Sequence, residues 1–172
     1  TLLSVGLLIP RKGHHNIIDA LPGLPGVTLL IAGEGPHRAA LEAQIARLGL
    51  GDRVRLLGAL PHARLPALYG AADALVLASE REGWANVLLE AMACGTPAIA
   101  GPAWGSREAV SSEAAGLVID HITPETIAVA VRTLFSALPD RAATRAHAEA
   151  FGWEETTQGQ LDLFREVLAC RR

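Results

Sequence analysis

A chain of 172 residues and 18.0 kDa, 50% of it hydrophobic, is long enough for one substantial core and short enough that a single domain over residues 1–172 is the expectation. Its formal charge of −3, pI near 6.0 and scattered basic residues lack the positive footprint of a nucleic-acid binder or of a domain held to an anionic membrane. With 4% aromatics the core is expected to be aliphatic, and Cys94 and Cys170 stand in unrelated contexts that suggest neither a disulfide framework nor a cysteine metal site, as in a reducing, cytoplasmic compartment.

The chain opens directly on a strand-like run, TLLSVGLL, with no initiator Met, and reads as a piece of something longer. Apolar runs of strand length recur at 2–8, 27–32, 54–57, 74–78, 98–100 and 116–119, each followed by a turn and a helical pattern. All are far shorter than the roughly 20 residues that span a bilayer. Strands apolar on both faces and alternating with helices predict a Rossmann-like, doubly wound, mainly parallel six-stranded α/β sheet with helices on both faces. His14 and His15 begin a first helix. Others are predicted from about Pro36 to Gly49, Arg64 to Ala72 and Asn86 to Cys94, the last stopped by Gly95 and Pro97. After Asp120, amphipathic segments at about 124–137, 140–149 and 154–169 have no strand partners and are expected to pack as a helical C-terminal tail.

Ligands of open parallel sheets bind beyond the carboxyl ends of the strands, where four turns gather polar residues: GLLIPRKG (6–13), GEGP (33–36), GALPH (58–62) and EREGWANVLLEAMACGTP (80–97). The last turn puts Glu82 before a helix start and Glu90 in its early turns. Free N–H groups around Asn86 and Val87 suit a phosphate or diphosphate. A carboxylate accepts hydrogen bonds from vicinal hydroxyls, so Glu90 is a candidate for a ribose diol and Glu82 for sugar hydroxyls on the other side of the diphosphate. Taken alone, a solvated loop glutamate and an ordinary helix glutamate account for both. Lys12 is the only lysine, against fourteen arginines, and beside Gly13 it offers a compact positive charge for phosphate; an ordinary surface lysine is the alternative.

GLLIPRKG, GEGP, LLGALPH with LPALYGAAD behind it, and EGWANVLLEAMACGTP together resemble the C-terminal, donor-binding domain of the retaining, family-4-type glycosyltransferases of GT-B architecture. The match runs in order along nearly the whole chain, to FGWEETTQGQLDLFREVL at 151–168, similar to that family's closing helix. The resemblance implies that Lys12 binds the diphosphate, Glu82 the transferred sugar and Glu90 the ribose, with main-chain N–H groups over Gly83, Trp84, Ala85, Asn86 and Val87 assisting and the Leu60 main chain meeting the base. Gly6 and Arg11 complete the donor set, and Lys12 and Glu82 are the catalytic candidates. One position departs: where the family commonly carries an Arg after Gly6, this chain has Leu7, with Arg11 the nearest substitute.

The implied reaction transfers a sugar, of hexosyl type, from a nucleoside diphosphate donor such as a UDP- or GDP-sugar to an acceptor hydroxyl with retention. It needs no metal, cofactor or protein nucleophile. The partners are the donor and an absent N-terminal acceptor domain of the same full-length protein, through which alone a peripheral membrane association is expected. The competing reading is a non-catalytic nucleotide-binding or regulatory module of the same fold, which Leu7 favours. A GT-B-like epimerase or phosphorylase calls for other signals.

Other features carry less. GEGPHR (33–38) follows the second strand and has Arg38 at the third glycine position of a dinucleotide fingerprint. The histidines show no zinc spacing. His62 is a candidate to face the base, equally an exposed turn residue. Cys94 reads as a small buried residue, Ser106 lacks a hydrolase elbow, Trp84 is open between sugar stacking and packing, and Trp104 and Trp153 read as packing residues.

Overall fold

The computed structural model describes residues 1–169 and, within them, every side chain but that of Glu155. Six strands, β1 (Leu2–Val5), β2 (Leu29–Ala32), β3 (Val54–Gly58), β4 (Ala74–Leu77), β5 (Ala98–Ala100) and β6 (Gly116–Val118), form one sheet in the order β3-β2-β1-β4-β5-β6. Every neighbouring pair is parallel. The chain winds outward from β1 to β3, then returns to lay β4 against the other side of β1. Between β1 and β4 lies the topological switch point, where loops on opposite sides of the sheet part and leave a crevice.

Alternation along each strand divides two cores. Leu2, Leu29, Ile31, Val76 and Ile99 face one layer, with Ile17 and Ile18 of α1 (His14–Ala20) and Ile127, Val131 and Leu134 of α6 (Pro124–Ser136). Leu3, Leu75, Leu77, Ala98 and Ala100 face the other, with Tyr69 of α3 (Leu65–Ala71) and Leu88 and Met92 of α4 (Asn86–Ala93). Each buried Leu or Ile contributes about 1.5–3 kcal/mol relative to exposure, which makes this two-sided burial the main source of stability. The helix α2 (Arg38–Arg47) packs on α1 by Leu41 and Ile45. The strand expected over 2–8 ends at Val5: Gly6 N–H still donates to the Ala32 carbonyl of β2, but beyond it the main chain bonds to the turn after β2, through Leu8, and to itself.

The helix starts follow local chemistry. Thr123 caps α6 in a reciprocal box with Thr126, with Pro124 in the first turn where its missing N–H costs nothing. Asp140 accepts from the N–H groups of Ala142 and Ala143 at the start of α7 (Arg141–Glu149). The Arg141 guanidinium then ties α7 to the end of α3, donating to the carbonyls of Ala72 at 2.7 Å and Gly70 at 3.0 Å. A short helix, α5 (Ser106–Ala109), was not expected from the sequence.

The expected tail divides. Helices α6 and α7 pack against α1 and α4, whereas every described side chain of α8 (Glu154–Ala169) is exposed, Leu161, Phe164 and Leu168 included. Amphipathic spacing made the helix without placing its apolar residues on either core. Trp104 and Trp153, expected to pack, are 85% and 81% exposed, since the loop after β5 and the start of α8 lie off both layers. Among the described residues no helix is long and apolar enough to cross a membrane.

Candidate functional site

The loop after β1 is locked from both sides. Leu8 N–H donates to the Glu34 carbonyl at 2.9 Å, and the Leu8 carbonyl accepts from His37 N–H at 2.9 Å, which fastens the loop to the turn after β2. On the other side Glu80 N–H donates to the Arg11 carbonyl at 3.0 Å. Next to that bond Gly13 adopts φ +69°, and a Cβ there would lie 1.8 Å from the Ala78 carbonyl oxygen. Only glycine permits both the left-handed backbone and the approach. A 3-10 turn over Pro10–Lys12 then places Lys12 beside the end of β4.

There the Lys12 ammonium donates to Glu82 Oε1 in a close ion pair. The side chains are 17% and 13% exposed, so solvent screens the pair only partly. Glycine at position 6 leaves room for the lysine stem, since a Cβ there would sit 3.6 Å from Lys12 Cδ. The sheet order thus brings together the two expected catalytic candidates. Arg11 is exposed on the same turn, and Leu7 is 58% exposed.

Beneath this loop lies a group the sequence reading took only as a helix start. The His14 imidazole is buried, its Nε2 3.3 Å from the Leu7 carbonyl and its Nδ1 3.0 Å from Ser4 Oγ. A carbonyl only accepts, so Nε2 carries the proton and Nδ1 receives the Ser4 hydroxyl. Burial is the largest influence on the ring, opposed by the Leu7 and Gly6 main-chain bonds, and lowers its pKa from 6.5 to about 4. His14 is a neutral prop under the loop.

A second cluster forms around Glu90. Tyr69, on α3, is buried in the second core, and its hydroxyl donates to Glu90 Oε2 at 2.7 Å. Burial first, then the bond to Glu90, pushes the phenol pKa far above its ordinary value, so the hydroxyl remains a donor. His62 starts the 3-10 turn after the half-buried Leu60 and brings Nε2 to 3.8 Å from Glu90 Oε1, its side chain 82% exposed. The sequence reading omitted Tyr69, although a signal existed: it is the only tyrosine in the chain.

Between the clusters runs the start of α4. The N–H groups of Trp84, Ala85, Asn86 and Val87 take no main-chain partner outside the helix among the described residues, and Asn86 is exposed. Gly83 is exposed and Ala85 buried. The Trp84 ring lies over Gly105, where a Cβ would be 2.9 Å from Trp84 Cε3, and 6.1 Å from the Phe151 ring. It packs the turn while 40% exposed. Cys94, expected to be buried, is half-buried because it follows the last turn of α4, and what burial it has raises its thiol pKa.

The Lys12–Glu82 pair thus follows the ends of β1 and β4, and the turn bearing Glu82 leads into α4, which carries Glu90 to Tyr69 and His62. A concavity of about 630 Å³ lies apart, between α1 and α2, on Pro10, His15, His37, Gln44 and Arg47. Among the described residues no three His, Cys, Asp or Glu side chains come together to hold a metal ion. Together the site residues offer two cations, Lys12 and Arg11, two carboxylates and a helix start, groups that can bind an anion and hydroxyls.

Comparison with known proteins matches residues 1–151 to the family described as glycosyl transferases group 1. D-inositol 3-phosphate glycosyltransferase of Segniliparus rotundus is 35% identical over 95% of the chain, which spans 39% of that relative's length. In structure, sucrose-phosphate synthase of Thermosynechococcus elongatus superposes with a TM-score of 0.85 at 30% identity, over 98% of this chain and 45% of that one. The Anabaena protein HepE, solved in complex with UDP, gives a TM-score of 0.80 at 29% identity, over 96% of this chain and 48% of its own. The chain therefore spans less than half the length of these relatives.

Proposed function

Because this chain belongs to the group 1 glycosyl transferases and has the Rossmann-like fold of their GT-B structures, we propose that it is the nucleotide-sugar-binding half of a retaining glycosyltransferase. The observation that carries the reading is the Lys12–Glu82 pair at the switch point, adjoining the start of α4 in sequence. The solved complex of HepE with UDP supports the ligand class.

In the proposed complex Lys12, with Arg11 beside it, and the N–H groups of Trp84 to Val87 hold the diphosphate over Gly6. Glu82 takes sugar hydroxyls, Glu90 the ribose and the Leu60 main chain the base. As the bond from the anomeric carbon to the diphosphate breaks, charge grows on the leaving oxygen. A cation and fixed N–H dipoles aimed there stabilise it without reorganising. The acceptor oxygen bonds to the anomeric carbon on the same face, and its proton passes to the departing phosphate. This scheme uses no metal, cofactor or protein nucleophile. Leu7, exposed where the resemblance places an arginine, favours a second reading, a nucleotide-binding module without catalysis.

The acceptor is assigned to a further, N-terminal domain. Positioning two reactants can supply roughly 7–11 kcal/mol of a barrier, so this chain alone is expected to bind nucleoside diphosphates weakly and transfer nothing. Titration with UDP, GDP and their sugars, followed by incubation with acceptor alcohols, tests this. Absence of binding overturns the donor reading, and turnover by the chain alone overturns the need for a second domain.

A further inference from the structure

Glu90 is half-buried on α4, and the terminal torsion of a glutamate is broad and nearly two-fold, so its two oxygens ordinarily exchange places. The 2.7 Å bond from Tyr69 singles out Oε2. Tyr69 is itself held at both ends. Its ring, 1% exposed, sits in the core with Leu3, Leu75 and Leu88, and its carbonyl accepts from Thr96 Oγ1 at 2.7 Å, which Arg141 Nη1 approaches at 3.3 Å. The other carboxylate oxygen, Oε1, lies on the side of the exposed His62.

We propose that Tyr69 is a positioning residue that holds Glu90 Oε2 and so presents Oε1 to the two hydroxyls of a ribose. This rests on the donor reading above, with Glu90 at the ribose. Fixing the carboxylate before the ligand arrives removes the ordering cost at binding, and the buried phenol keeps the orientation because turning away leaves its O–H without a partner.

The test compares UDP and GDP with their 2′,3′-dideoxy forms by calorimetry on the unaltered chain, Tyr69→Phe and Glu90→Gln, with thermal melting to show that each is folded. Tyr69→Phe is expected to weaken the ribose-bearing ligands about tenfold and leave the dideoxy forms unchanged. Equal weakening of both forms, or of neither, overturns the positioning role. If Glu90→Gln loses the ribose preference while Tyr69→Phe keeps it, only the tyrosine inference falls. If Glu90→Gln keeps it, or the unaltered chain binds neither UDP nor GDP, the Glu90 reading falls and this inference with it. A second measurement leaves the phenol in place. Biosynthetic 3-fluorotyrosine labels one site, because the chain has one tyrosine. Its single fluorine resonance is expected to move with the ribose-bearing ligand and not with the dideoxy form. A resonance that stays still, or moves equally with both, overturns the proposal.

Discussion

Lys12 and Glu82 lie 70 residues apart in sequence and form a close ion pair across the ends of β1 and β4. A diphosphate arriving at the ammonium competes with that carboxylate. Lys12→Ala is therefore expected to weaken UDP or GDP by about 1.5–3 kcal/mol, the range of a charge-assisted bond. Glu82→Gln is expected to leave the free diphosphate bound as well or better, since Lys12 is released, and to weaken the sugar-bearing ligand relative to it. Calorimetric titration reads both, and equal loss for the two ligands rejects the assignment of Glu82 to the sugar.

Glu90→Ala is expected to weaken the nucleoside diphosphate and its sugar by the same factor, roughly tenfold or more, because the ribose is common to both. The same titration distinguishes it from Glu82→Gln.

His14 makes stability depend on pH. Its pKa is about 4 in the fold against 6.5 for an ordinary histidine, so between these values the unfolded chain binds the extra proton. The stabilisation is complete above pH 6.5 and is lost as pH falls toward 4, at most roughly 3 kcal/mol. Chemical denaturation across this window is expected to show a stability slope that His14→Gln removes. An unchanged slope in the variant argues against His14 as its source.

Gly13→Ala is expected to cost more than about 3 kcal/mol or prevent folding, since its Cβ would overlap the Ala78 carbonyl. Gly51→Ala meets nothing within 4 Å and is expected to be neutral or stabilising by up to about 1 kcal/mol. Melting temperatures of the pair check the contrast.

Truncation after Gly152 is expected to leave the melting temperature nearly unchanged, because no described side chain of α8 enters either core. A fall of more than a few degrees contradicts that placement.

The strands were legible because burial on both faces writes continuous apolar runs, and the loops bearing Lys12, Leu60 and Glu82 followed from where such strands end. Partners were not legible. Lys12 meets Glu82 because the sheet order sets β1 beside β4, a relation present in neither local sequence. His14 was expected at a helix start and Tyr69 within the helix from Arg64 to Ala72, and a helical pattern does not say that an imidazole or a phenol tip meets the Leu7 carbonyl or Glu90 there. The same blindness affected α8, whose periodicity carried no information on whether a neighbour exists.

The contact of Gly13 with Ala78 and the bond from Glu80 to Arg11 join the loop bearing Lys12 to the one bearing Glu82. For an engineer, the two are a single cassette. Replacing either loop alone with that of a relative would break the join, whereas moving residues 6–13 and 78–90 together carries the seam intact. A change of donor preference by grafting is thus an exchange of two distant stretches of chain at once, and point changes in one loop are constrained by the backbone of the other.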